Sequence, residues 1–386
     1  AKKMLFLFVL LLSLTGMLKA QVTTAGMSGK VMADEESVIG ATVVAVHEPS
    51  GTSYGTVTNV DGRFSLQGMR SGGPYKVTVS YIGYQTAIYT GIQLQLGETY
   101  SLNVTLHEAS ELLGEITITA SKSKFSAEKT GATTNISSEQ LTTLPSINRS
   151  ISDFTRISPY ASGNSFGGRD GRSNTFTVDG ANLNNNFGLS SGLPGGGNPI
   201  SLDAIDEVQV VIAPYDVRQA NFIGAGINAI TKSGTNAYRG SAYMYFNNEV
   251  MRGNKIGDTD FGARAEESKT VYGATFGGPI IKDKLFFFAN VEYEKSPQQV
   301  ITWRAAKEGE TPNNSTISRT TEADLAEFSQ ILKGKYGYNT GSFTDFPADV
   351  TNLKLLGRID WNINQGNKLS VRYNFTNNKT WESTQW

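Results

Sequence analysis

The chain has 386 residues, enough for two or three domains, and its charges nearly cancel, with Lys+Arg 34 against Asp+Glu 35. That balance removes the electrostatic case for nucleic acid as a partner, which needs a basic excess or a basic face. With no cysteine and only two histidines, His47 and His107, the chain has no disulfide framework, thiolate metal site or cysteine nucleophile.

Lys2 and Lys3 precede Met4 to Leu14, an apolar run broken only by Ser13, and Leu18-Lys19-Ala20 offers a small-residue cleavage site before Gln21. Residues 1–20 read as a secretory signal peptide, because the apolar run is too short to span a bilayer comfortably. No later apolar run reaches the ~18 residues of a membrane helix, so a membrane role must use strands.

Residues 21–108 are all-β in pattern. Ala41 to Val46 is a buried-strand run, and Thr56 to Leu66 forms two alternating strands around the Asp61-Gly62 turn. Tyr75 to Tyr81 alternates strictly, as do Leu102, Val104 and Leu106. About seven strands in ~80 residues predict a small β-sandwich, immunoglobulin- or prealbumin-like. Gly40-Ala41-Thr42-Val43, Asn59 to Phe64 and Val79 to Tyr84 resemble the carboxypeptidase regulatory-like domain, an accessory fold that is not itself a peptidase. Asp61 is expected to shape its turn rather than bind a ligand. The two histidines lack acidic neighbours at metal spacing and are expected at the surface.

From residue 109 the pattern changes. Glu115-Ile116-Thr117-Ile118-Thr119-Ala120 is alternating and β-prone, and a polar stretch containing Lys122, Lys124 and Lys129 follows it. Such a segment can add as an extra strand to a partner's sheet, or it can simply be the last strand of the preceding domain. Ser138 to Pro145 predicts a short capped helix stopped by proline, with a second helix within Ile147 to Ile157. Then come Arg169-Asp170-Gly171-Arg172, Thr177-Val178-Asp179-Gly180, Ile205-Asp206-Glu207-Val208-Gln209-Val210 and Gly224 to Lys232. Their order and spacing over residues 109–236 resemble the mixed α/β plug of TonB-dependent outer-membrane receptors. The resemblance makes residues 115–120 a TonB box. It also makes Arg169 and Arg172 plug arginines that pair with acids lining a barrel; free surface arginines are the alternative. Asp179-Gly180 reads as a turn. Gly224-Ala225-Gly226-Ile227-Asn228-Ala229 fits a dinucleotide fingerprint, but a turn follows it where that fingerprint needs a helix.

Residues 237–386 carry five strand patterns, at 239–247, 270–278, 284–294, 354–364 and 368–376. The cleanest sets Leu355, Gly357, Ile359, Trp361 and Ile363 against Lys354, Arg358, Asp360, Asn362 and Asn364. Strands of ~9–11 residues with one aromatic-rich face and one polar face fit a transmembrane antiparallel barrel wall in contact with outer-membrane lipids. Long and tight connections alternate, as they do in outer-membrane barrels, and a helix is expected at 322–333 in one long connection. The segment Gly277 to Phe288 resembles the Oar-like branch of the receptor family. Five strands cannot close around a domain of ~120 residues, for which ~22 would be needed, so the chain is expected to be a fragment.

The resemblance implies energised import across the outer membrane. A periplasmic TonB protein would pull on residues 115–120, and the plug would admit a siderophore, glycan or peptide; a paired surface lipoprotein would favour glycans or peptides. The rival reading is a surface adhesion or secretion component on the same scaffold. An enzyme is disfavoured because no His-Glu-x-x-His pattern is present, and no catalytic residue, metal site or cofactor is expected.

Overall fold

A computed structural model describes residues 22–33, 35–108, 116–119, 132–146, 149–184, 198–214, 219, 222–260, 267–299, 304–313, 317–341, 343 and 347–380. The expected signal peptide lies outside the described residues, as do Glu115, Ala120 and the Lys122–Lys129 stretch. The fold is mainly β. The chain divides into two compact units, the first formed by 1–240, 275–290 and 356–374, the second by 241–274, 291–355 and 375–386.

The first unit opens with a two-sheet sandwich. Its strands are β1 (Ala25–Ala33), β2 (Glu36–Ser37), β3 (Thr42–His47), β4 (Thr52–Val57), β5 (Arg63–Met69), β6 (Gly72–Ser80), β7 (Ala87–Leu94), β8 (Thr99–Ser101) and β9 (Val104–Leu106). A further strand, β10 (Ile116–Thr119), joins this domain, giving one sheet the order β10-β7-β6-β3-β4; β1 is the hub of the other, pairing with β2, β5, β8 and β9. Alternation sends Val43, Ala45, Val77 and Val79 inward against Met27, Val31, Phe64 and Leu66. The same alternation takes His47 inward, so the expectation of a surface histidine fails there. His47 is 5% exposed, its Nδ1 lies 2.7 Å from Ser50 Oγ, and burial with the nearby Arg70 charge lowers its pKa to about 3. At the Asp61-Gly62 turn the organising side chain is Asn59, whose Oδ1 accepts from the amides of Asp61 and Arg63 at 3.1 and 2.8 Å.

The middle domain contains β11 (Thr133–Ser137), α1 (Ser138–Thr143), α2 (Ile151–Thr155), the short pair β12 (Ala161–Ser162) and β13 (Ser165–Phe166), β14 (Thr175–Val178), β15 (Ala181–Asn182), β16 (Ile205–Val211) and β17 (Gly226–Thr231). Both helices open on serine capping boxes, Ser137 with Gln140 and Ser150 with Asp153. The mixed sheet has the order β11-β16-β17-β14-β15. Its register aligns Ile136, Val208, Ala229 and Val178 in one row, and Asn135, Gln209, Asn228 and Thr177 in the next. Successive rows face opposite sides of a pleated sheet, so one face is apolar and the other polar. The apolar face packs with Phe154, Phe176 and Ile200 into one core that also takes in Phe288 and Leu356.

The remaining long strands are β18 (Arg239–Asn248), β21 (Ser268–Ile281), β22 (Leu285–Gln299), β25 (Pro347–Asn362) and β26 (Lys368–Lys379). Between them lie β19 (Lys255–Ile256), β20 (Thr259–Asp260), β23 (Arg304–Ala306), β24 (Ile317–Thr321) and α3 (Glu322–Tyr336). The long strands form one sheet in chain order, β18-β21-β22-β25-β26, which is not closed into a barrel. α3 begins on the Thr321–Asp324 capping box and ends at Gly337 with φ 63°. Burial in the long strands is the reverse of a water-soluble sheet. Phe276, Ile359, Trp361, Val371 and Tyr373 are exposed, while Asn290, Glu292, Lys354, Arg358 and Asp360 are buried.

Within the second unit the buried charges pair. Lys354 Nζ lies 2.8 Å from Glu292 Oε1, and Lys269 Nζ lies 2.7 Å from Glu294 Oε1. Tyr243 donates to Glu292 Oε2 at 2.8 Å. Its ring occupies the space over Gly273, where an added Cβ would sit 2.1 Å from the ring. Gly273→Val is therefore expected to expel the Tyr243 ring, break its bond to Glu292 and destabilise the sheet by about 1–3 kcal/mol. The unfolding midpoint of the variant in detergent micelles, compared with Tyr243→Phe, checks this.

Candidate functional site: a charged seat for the middle domain

Asp179 and Gly180 join β14 to β15 with φ of 49° and 85°. Positive φ at both central positions of a two-residue hairpin calls for Asp or Asn followed by Gly. The turn expected from the sequence is thus present, but Asp179 does more than shape it. Its Oδ1 accepts from the Thr231 amide at 2.9 Å and its Oδ2 from the Thr231 hydroxyl at 2.6 Å, tying β14 to the end of β17.

Two arginines from the long strands converge on this carboxylate. Arg372 Nε lies 3.4 Å from Asp179 Oδ2, and its Nη1 donates to the Asp179 carbonyl at 2.9 Å. Arg358 Nη1 lies 3.9 Å from Asp179 Oδ1 and donates to the Thr231 carbonyl at 2.5 Å. The other edge of the Arg358 guanidinium grips Asp360, with Nε and Nη2 at 2.8 and 3.0 Å from its two carboxylate oxygens. Asp360 also accepts from the Ser370 hydroxyl at 2.5 Å, and it lies 3.4 Å from Arg70 of the sandwich. The planar guanidinium fork lets Arg358 serve both partners at once, which a lysine could not do.

Among the described residues the ion pairs of this seat join an acid of the middle domain to arginines of the long strands. Arg172 pairs with its neighbour Asp170 at 3.0 Å, both about half exposed, and Arg169 is exposed. Their i, i+2 placement on the Asp170-capped 3-10 turn satisfies Arg172 locally, and among the described residues neither arginine pairs with a long strand. The middle domain supplies the acid and the long strands supply the arginines. Val178 is 6% exposed, in the apolar row. Arg358 and Asp360 stand on the polar face that the sequence outlined, but nothing in the sequence shows that Asp179 meets them. Phe286, Phe288 and Leu356, buried on the side that carries the charges, also escaped the sequence reading.

The sandwich meets the polar face of the middle sheet through its 95–98 turn. The Leu96 amide donates to both Glu207 carboxylate oxygens at 3.1 Å, and Gln209 Nε2 donates to the Leu96 carbonyl. Asn135 donates to Glu98 at 2.9 Å. Gly97, at φ 70°, is the residue that permits this approach, since an added Cβ would sit 2.7 Å from the Gln209 amide. Burial pushes the Glu207 carboxyl up to about 8; the bond from Leu96 opposes the shift and the Asp206 charge adds to it. Asn362 joins the sandwich to the long strands by donating to Thr52 Oγ1 at 2.9 Å, and Lys368 Nζ lies 3.2 Å from the centre of the Tyr54 ring.

A sheet with aromatic side chains outward and paired charges inward is built for an apolar solvent. Residues 230–305 match the family model of an outer membrane beta barrel domain, and residues 26–107 match that of the carboxypeptidase regulatory-like domain. The chain is an outer-membrane protein. Over 344 residues it is 25% identical to the TonB-dependent transporter Oar of Myxococcus xanthus, covering 84% of this chain and 30% of that protein. It therefore spans less than a third of the length of the curated relative it matches. Solved structures similar to it include the siderophore receptor PirA from Acinetobacter baumannii, at 19% identity and TM-score 0.40 over 64% of this chain and 31% of that one. The outer membrane transporter YddB from Escherichia coli gives 16% identity and TM-score 0.39 over 63% of this chain and 33% of that one. These relatives are receptors and transporters rather than enzymes.

Two measurements test the seat and the contact. Asp179→Ala leaves the buried Arg358 and the partly buried Arg372 facing a lost charge, and should cost about 3–5 kcal/mol in unfolding stability; Asp170→Ala, which loses only an exposed ion pair and the cap of one short turn, should cost far less. Glu207 has a folded value above its ordinary 4.5, so its contribution is complete below pH 4.5 and is lost as pH rises to about 8. Protection of the Leu96 amide from hydrogen exchange should fall over that window, and Glu207→Gln should abolish the fall.

Proposed function

We propose that the full-length protein is a TonB-dependent outer-membrane transporter, with residues 109–236 as its plug and residues 237 onward as the start of its barrel. Asp179 between Arg358 and Arg372 carries this reading. A domain that must move within a wall needs a seat that is strong when engaged and can be remade in water. Charged hydrogen bonds meet that need better than apolar interlocking, because water can replace them. The polar row Asn135, Gln209, Asn228 and Thr177 is suited to the same purpose: Thr177 donates to Asn228 at 2.7 Å, and Asn228 to Gln209 at 3.4 Å.

In this reading residues 115–120 are the segment that a periplasmic energy-transducing TonB protein grips by strand addition. A pull on it shifts the plug, breaks the Asp179 seat and opens a path for a small molecule, glycan or peptide captured outside. Similarity to the transporter Oar supports the reading.

Removing residues 115–120 from the full-length protein should abolish uptake of its substrate, while surface abundance and substrate binding stay at wild-type levels. Uptake that continues undiminished rejects energised import.

A further inference from the structure

The four described residues of the proposed partner segment are already in a sheet. β10 lies parallel to β7 in the register Ile116↔Ala87, Thr117↔Ile88, Ile118↔Tyr89 and Thr119↔Thr90. The template ends there, because the β6–β7 register shifts between Tyr75 and Val77 and Gly91 has φ 77°. β7 thus offers a straight edge only as far as Thr90. A parallel neighbour needs a long connection, and the stretch from β7 to β10 supplies one containing β8 and β9. An antiparallel bridge between Tyr84 and Glu108 brings the chain back to the start of β7.

β10 is the outermost strand of its sheet, and no described strand pairs with its far side. A strand edge that must stay unpaired usually carries charge, proline or a bulge. Ile116-Thr117-Ile118-Thr119 has none of these, and it alternates β-branched side chains suited to a sheet. The opposite edge strand, β4, is the one tied to the long strands through Thr52 and Asn362. Four strand spacings separate the two edges, about 19 Å, so the β10 edge stands clear of that attachment.

We propose that the sandwich presents residues 116–119 as the open outer rung of its sheet, onto which an extended strand of the periplasmic energy-transducing protein adds while β7 stays paired on the other side. This rests on residues 115–120 being the partner segment. The accessory domain then gives the partner a strand that is already ordered. Fixing a free backbone costs conformational entropy at every residue, so pre-ordering four residues favours binding. It also makes the sandwich the first body to carry the pull. The load reaches the middle domain through the Leu96 contacts with Glu207 and Gln209.

These 386 residues contain no cysteine, so within them an engineered pair has no competing thiol. Thr90→Cys with Thr119→Cys joins register partners on adjacent strands, within disulfide reach. Thr90→Cys with Thr117→Cys is the out-of-register control. Both pairs are made in the full-length receptor and oxidised in isolated outer membranes, and binding of the purified periplasmic domain of the host TonB protein is measured before and after reduction. The in-register pair should cross-link far more completely than the control, and the oxidised form should bind the domain as tightly as the reduced form or more tightly. A tenfold or greater loss on oxidation, reversed by reductant, would overturn the proposal and show that the partner displaces β7. Equal cross-linking of the two pairs would overturn it too. A clean in-register cross-link with no partner binding by any form, wild type included, would sink both the partner-segment reading and this one.

Discussion

One carboxylate, held between two arginines, is the contact that the other contacts in the first unit serve. Asp179 can occupy its position only because Gly180 follows it in a turn with two positive φ values. From there it fixes Thr231 at the end of β17 and meets Arg358 and Arg372. Arg358 extends the chain of charge to Asp360, and Arg70 of the sandwich reaches the same acid. Three parts of the chain therefore share one network with buried Asp179, Arg358 and Asp360 at its centre. Such a network is a poor source of net stability, because desolvating the charges consumes most of the attraction. It is a good source of uniqueness, because any misplacement leaves a buried charge without its partner.

The two faces of the middle sheet divide the labour. The apolar row of Ile136, Val208, Ala229 and Val178 builds a permanent core. The polar row of Asn135, Gln209, Asn228 and Thr177 ends at the Leu96 turn of the sandwich. Contacts of the first kind resist any rearrangement, since exposing them to water is costly over their whole area. Contacts of the second kind can be traded for water one at a time at small net cost. The hydrogen bonds by which the sandwich meets the sheet are of the second kind.

The sandwich occupies a position that its family label does not convey. It holds β10 on one edge and the long strands at the other, and Glu207 grips its 95–98 turn. A protonated Glu207 suits that buried place, and its value near 8 makes the grip sensitive to alkaline conditions.

Much of this was legible in the residues themselves. Period-two alternation fixed the five long strands, because lipid outside and charge inside demand opposite residues at successive positions, and the structure changes only their ends. A capping signal and a proline stop located α1, since a serine with an amide three residues on satisfies local amides without help from elsewhere. Asp179-Gly180 announced a turn for the same local reason. What the sequence could not disclose were partners far apart along the chain. Arg172 left open a pairing with a barrel acid or a place at the surface, and folding set it beside Asp170, two residues away. Asp179 looked like a turn residue, and only folding brought Arg358 and Arg372 to it across more than 170 positions. His47 looked like a surface residue until the pleat of β3 turned it inward. Local geometry is written in neighbouring residues, whereas the pairing of charges depends on which strands become adjacent in three dimensions, and that was decided by the tertiary structure alone.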